Sequence, residues 1–165
     1  MALRLKLMRL MVGVVLPLTL ASPSMAQTSL SEFVGTASQP SFDTPELALD
    51  KLKAALAAND VNGLAELLGL KAGKLKGNNA AMVSYALIRA GASRLMKLED
   101  LDGRKVVAIG DRLWPLPFPL TKGADDKWSF DTRTGLEEIV NRRIGENELA
   151  TIETIHNFVI AQHIY

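Results

Sequence analysis

The chain has 165 residues, 48% hydrophobic and 22% charged, which is globular composition over about one domain's length. Nineteen Lys and Arg against eighteen Asp and Glu leave a net charge of +1, so no basic field marks a nucleic-acid or anionic-membrane surface. The absence of Cys excludes a disulfide framework, thiolate metal sites, a cysteine nucleophile and a lipid anchor on Cys.

Residues 1–26 read as a secretory signal peptide. Arg4, Lys6 and Arg9 form a positive start, residues 10–20 are apolar and uncharged, and Ser24 and Ala26 place small residues at a cleavage site before Gln27. The apolar run is about half of the roughly 20 residues that a membrane span needs. Cleavage, periplasmic or secreted placement and no stable membrane insertion afterwards are therefore expected. Removing this leader leaves sixteen basic against eighteen acidic residues in 139, enough chain for a core without staples.

Residues 27–43 are rich in Ser, Thr, Gln and Pro without a period and read as a flexible linker, onto which Phe33 and Phe42 could still pack. Thr44-Pro45-Glu46 starts a helix, with Leu49, Leu52 and Leu56 at helical spacing. Asp60 caps a short second helix carrying Leu64, Leu67 and Leu68, which Gly69 closes. Residues 71–77, with three Lys, read as an exposed loop. Asn78 or Asn79 then caps a third helix to about Lys97, with Met82, Ala86, Ala92 and Leu95 inward.

The period then changes. Asp102-Gly103 signals a hairpin, residues 105–109 a strand and Gly110-Asp111 a turn. In residues 114–120 proline stands at every second position, which forbids a helix. A strand here would turn its missing donors to one edge and Trp114, Leu116, Phe118 and Leu120 to the core, making a proline-blocked edge strand. A polyproline II ligand is the alternative. Residues 122–126 make a polar turn and 127–130 a short strand. Thr134 and Glu137 form a capping box for a helix carrying Leu136, Ile139, Val140 and Ile144, ended by Gly145. A last helix starts near Asn147 and presents Leu149, Ile152, Ile155 and Val159. The expected class is α+β: N-terminal helices, an antiparallel sheet of three to four strands and two C-terminal helices, all in one domain over 44–165. The last helix has no stop signal, so its end either docks tightly or belongs to a truncated chain.

Three motifs occur in order: Trp-Pro-x-Pro-x-Pro at 114–119, Trp-x-Phe-Asp-Thr at 128–132 and Asn-Arg-Arg-Ile-Gly-x-Asn-Glu-Leu at 141–149. With the opening helix, they make residues 42–165 resemble the exported bacterial family called domain of unknown function 2950. The resemblance implies a periplasmic or cell-envelope protein with no assigned activity. It also implies a missing C-terminal half, because members continue past the element at 161–165 into a β-rich region.

The best polar constellation is Asp131, Glu138, Arg142 and Arg143. A catalytic reading uses either carboxylate as base and either arginine to hold an anion. A structural reading makes Asp131 and Thr134 caps and Glu138–Arg142 a surface pair. Trp114, Phe118, Trp128 and Phe130 either line a ligand cavity or fill the core. Ile155, Val159 and Tyr165 are the candidate partner contacts on the last helix. His156 and His163 are seven apart, too far for paired helical metal ligands, so no metal site is expected. Ser84, Ser93 and Ser129 lie in no nucleophile elbow, and no Gly-rich phosphate loop or cofactor motif is present. The leading expectation is a non-enzymatic envelope protein that binds another, unidentified envelope protein. A small-ligand cavity protein is the second reading, and a carboxylate-dependent hydrolase or isomerase the third.

Overall fold

The computed structural model describes residues 30–164. The signal-peptide reading and Tyr165 lie outside the described residues. The fold is α+β, and its elements follow from local rules. Helix α1 (Pro45–Ala57) begins with Pro at its first position and the Thr44 hydroxyl accepting from the Leu47 N–H. Its Ala48, Leu49, Leu52 and Leu56 share the buried face. Helix α2 (Val61–Leu67) is capped by the Asp60 carboxylate, which accepts from Asn62 and Gly63. Gly69, at φ +67, ends it as expected. Residues 71–77 are not a loop throughout, since a single exposed turn, α3 (Ala72–Lys76), forms there.

Helix α4 (Asn79–Ala92) stops earlier than its sequence period suggests. Tyr85 and Gly91 face the core, whereas Ala86 and Leu95 are exposed. The reason is tertiary. At Gly91 a Cβ would sit 2.9 Å from the Ile109 side chain, so the helix crosses the end of a strand there. Residues after Leu95 are taken by strand β1 (Met96–Leu101), paired over six residues with β2 (Arg104–Ile109). That ladder overrides the helix propensity of the Met96–Glu99 stretch. The Asp102-Gly103 turn between them has both φ values positive, 49 and 75, as a two-residue hairpin requires.

The proline-rich segment forms two short strands. Strands β3 (Trp114–Pro115) and β4 (Leu120–Lys122) both pair with β2, through Ala108 with Pro115 and Lys105 with Leu120. Three steps along β2 are thus matched by five on the facing chain, and the excess bows out at Pro117 and Phe118. Leu116, Phe118 and Leu120 are buried as expected, but Trp114 remains 42% exposed. Strand β4 is not an edge, because β5 (Trp128–Phe130) pairs with its far side. The antiparallel sheet runs β1-β2-β4-β5, with β3 beside β2.

The segment read as a flexible linker is pinned over residues 30–43. Phe42 exchanges both backbone hydrogen bonds with Trp128, covering the β5 edge, and the Gly35 N–H donates to the Gly69 carbonyl. Gln39 donates from Nε2 to the Leu67 and Phe130 carbonyls, both at 2.8 Å. Phe33 and Phe42 pack on the core. That core lies between the sheet and the N-terminal helices, and Phe130, Leu52, Leu56, Leu120 and Val107 are its largest fully buried side chains.

The two expected C-terminal helices are one, α5 (Thr132–Ile164), 33 residues and about 50 Å long. Gly145 does not end it. Its φ is not positive, and the strong helix formers around it carry the ladder through at a cost of about 1 kcal/mol. Nor does Thr134 cap it. Asp131 does, accepting from the Thr134 N–H at 2.9 Å and the Thr134 hydroxyl at 2.8 Å. Glu137 pairs instead with Arg133.

Candidate functional site

The polar constellation is assembled where α5 leaves the sheet, and its charged groups are already engaged. Both Asp131 carboxylate oxygens hold Thr134, and its N–H donates to the Pro119 carbonyl. This is the chemistry of a cap. Arg142 donates from Nε to Glu138 at 2.7 Å and from a terminal nitrogen to the Pro115 carbonyl at 2.9 Å. Its guanidinium carbon lies 4.8 Å from the Trp114 ring centroid. Arg142 thus ties α5 to β3 by a backbone contact and a cation–π contact, with Glu138 of the same helix holding its guanidinium. Arg143 is exposed and makes no ion pair with the described residues.

The four aromatic candidates are not brought together around a cavity. Phe118 and Phe130 are core residues, Trp128 packs against that core, and Trp114 is half-exposed beneath Arg142. Gly135 explains the position of Phe118: a Cβ there would collide with the Phe118 ring, so glycine lets α5 lie on it. A hollow opens elsewhere among the described residues. It is a groove of about 560 Å³ between α1 and α4, floored by Leu56, Ala86 and Met96 with Lys53 and Arg89 at its sides. No group of three or more metal-ligating acidic, His or Cys side chains occurs among the described residues.

Beyond Ile144, α5 presents a different surface. Leu149 is 68% exposed, Ile152 63%, Ile155 58% and Phe158 62%, with Val159 and Ile160 also open. At 100° per residue these side chains span a broad arc that also holds Glu148, Thr151 and His156, while Glu146, Asn147, Glu153 and Thr154 occupy the rest. From 144 to 160 the charged residues are three Glu, with no Lys or Arg. Scattered apolar residues on a surface are ordinary, and this stretch stands out by their density. No described helix is long and apolar enough to cross a membrane.

A family model described as protein of unknown function (DUF2950) matches residues 39–165. The chain belongs to this family. No curated protein and no solved structure matches it. The start of the match at residue 39 falls on Gln39, whose side chain joins α2, β5 and α5 in this DUF2950 chain.

Sequence reading placed Ile155 and Val159 on one face of a helix and treated that face as the candidate contact. The structure puts both on the open arc. The reading missed the Arg142–Trp114 stack and the Gln39 clasp. A Trp beside a proline at a strand start was the available signal for the first. Nothing in a Ser- and Gln-rich stretch announces the second.

Proposed function

We propose that this chain is an exported envelope protein that works by binding another protein through the apolar arc of α5. The observation that carries the reading is the exposure of Leu149, Ile152, Ile155 and Phe158 on a helix that Arg142 ties to the sheet nearer its start. Leaving such side chains in water is unfavourable by about 25 cal/mol per Å², so a partner that covers them gains that term. Helix-in-groove recognition uses anchors at this spacing. Export is supported by the Arg4, Lys6 and Arg9 start, the apolar run at 10–20 and the small residues Ser24 and Ala26.

Cross-linked capture from cells producing the full chain tests this. The double variant Ile152→Asp with Ile155→Asp should lose the captured partner, and Arg143→Ala should keep it. Capture that is indifferent to the α5 pair overturns the reading. Export is tested separately by sequencing the N-terminus of the recovered protein, which should begin at Gln27.

A further inference from the structure

We propose that the open edge of β1 pairs with the same edge of a second copy of this chain, antiparallel about a two-fold axis at Leu98, so that two sheets become one. This surface is distinct from α5 and stands independently of the docking reading above.

The edge is unprotected. The far side of β5 is covered by Phe42, which exchanges both backbone hydrogen bonds with Trp128. Strand β1 ends the sheet on its other side. Its six residues hold no proline, and its ladder with β2 runs without a bulge from Met96 opposite Ile109 to Leu101 opposite Arg104. The Gly110 N–H donates to the Leu95 carbonyl, so Leu95, Lys97, Glu99 and Leu101 turn their backbone groups toward β2. Met96, Leu98 and Asp100 turn theirs outward, and no backbone partner meets them among the described residues. Such a row of donors and acceptors is a template for another strand.

The side chains identify that strand. An antiparallel pair centred on Leu98 sets position 98 minus n opposite position 98 plus n of the other copy. Outward-turned Met96, Leu98 and Asp100 then face outward-turned Asp100, Leu98 and Met96, which gives about six hydrogen bonds across the joint. On the sheet face away from the core, the series Leu95, Lys97, Glu99, Leu101 meets Leu101, Glu99, Lys97, Leu95 in that order. Leu95 is 40% exposed and Leu101 54%, so each gains from the other copy the cover its own domain does not supply. The Lys97 ammonium lies 2.8 Å from the Glu99 carboxylate of its own strand. In the pair it also has the other copy's Glu99 directly opposite, at the positions where facing side chains come closest.

The neighbouring registers that keep the hydrogen bonds set Lys97 against Lys97 or Glu99 against Glu99, so charge selects the one centred on Leu98. On the core face, Leu98 is partly buried against its own core and meets its counterpart at the axis. Met96 lies level with Asp100, whose carboxylate is already held by Lys105 at 2.7 Å. An edge that complements itself in this way is what a two-fold interface needs. A pair of six-residue edges is a small interface, so the dissociation constant should be roughly micromolar.

Sedimentation of the purified full chain should show a concentration-dependent monomer–dimer equilibrium. Lys97→Glu should weaken the dimer about tenfold, and Glu99→Lys should do the same. The double variant Lys97→Glu with Glu99→Lys keeps opposite charges facing each other and should restore it. Both side chains are about half exposed, so the melting temperatures of the three variants should stay close to that of the unaltered chain. In the unaltered chain, amide exchange at Leu98 and Asp100 should slow as protein concentration rises. A chain that stays monomeric at high micromolar concentration overturns the proposal, as does exchange at Leu98 that ignores concentration. A dimer that tolerates Lys97→Glu, or one that the folded double variant fails to restore, overturns it too. The Ile152→Asp and Ile155→Asp pair should leave this dimer intact while testing the α5 reading. Loss of the dimer in that pair would place the contact on α5 and overturn the β1 assignment.

Discussion

The Arg142 guanidinium stacks 4.8 Å from the centre of the Trp114 ring while donating to Glu138 and to the carbonyl of Pro115, the residue after that Trp. One side chain therefore joins the first turns of a long helix to the strand at the sheet's margin. The Arg142 side chain is 27% exposed, so its contacts are partly sheltered from solvent screening. Arg142→Ala should cost about 1–2 kcal/mol in urea unfolding, and Arg142→Lys should recover part of it. A double-mutant cycle with Trp114→Ala should give a coupling of about 0.5–1 kcal/mol. Additive single effects would show that the stack contributes nothing.

Two glycines of α5 should respond oppositely to alanine. Gly135 lies against the Phe118 ring, so Gly135→Ala forces either the ring or the helix to move and should destabilise by about 1–3 kcal/mol. Gly145 has open space around it, so Gly145→Ala should raise α5 helicity and leave or increase stability by up to about 1 kcal/mol. Circular dichroism with urea titration of both variants checks this.

Gln39 is a clasp rather than part of a linker. Its amide satisfies the Leu67 and Phe130 carbonyls, and its oxygen lies 3.3 Å from the Thr132 hydroxyl, which also donates to the Leu68 carbonyl. Gln39→Ala removes the donor from two partly buried acceptors, so it should cost about 1–3 kcal/mol. Deletion of residues up to 38 should cost at least as much, because it takes Phe33 off the core and the Gly35 N–H from the Gly69 carbonyl. A deletion that costs less would place the anchoring at Gln39 alone.

These cases show what the sequence made legible. Elements announced by local chemistry were readable: the Thr44-Pro45 helix start, the Asp102-Gly103 hairpin and the Gly69 stop. Elements decided by tertiary pairing were not. The Met96–Glu99 stretch has helical composition but is claimed by the β2 ladder. Gly145 has the composition of a stop, yet the flanking residues carry the helix through it. The alternation in 114–120 pointed Leu116, Phe118 and Leu120 inward correctly, but Trp114 lies under Arg142 and stays 42% exposed. Of the candidate site, the apolar spacing of Ile155 and Val159 was visible in the sequence. Its exposure was not, because period alone does not say which side of a helix is covered.

Acid should weaken the fold slightly through two surface pairs. The hydrogen bond from Lys74 holds the Glu32 carboxyl below its usual range, and Lys122 does the same for Asp126. A carboxyl with a lowered folded-state pKa stabilises the fold above its unfolded value, near pH 4, and loses that contribution as pH falls through the folded value. Both pairs are exposed, so the effect should be small. The melting temperature should be nearly flat from about pH 8 to 5 with respect to these groups and decline below about pH 4. Glu32→Gln should show a shallower decline. An identical acid profile in that variant would remove Glu32 from the account.

The central claim is that the apolar arc of α5 is covered when the protein is at work. Thiol labelling in intact cells tests it most directly, comparing the Ile152→Cys and Thr154→Cys variants of the otherwise Cys-free chain. The account predicts that Ile152→Cys labels several-fold more slowly than Thr154→Cys in cells and equally fast after denaturation. Equal labelling of the two in cells would contradict it.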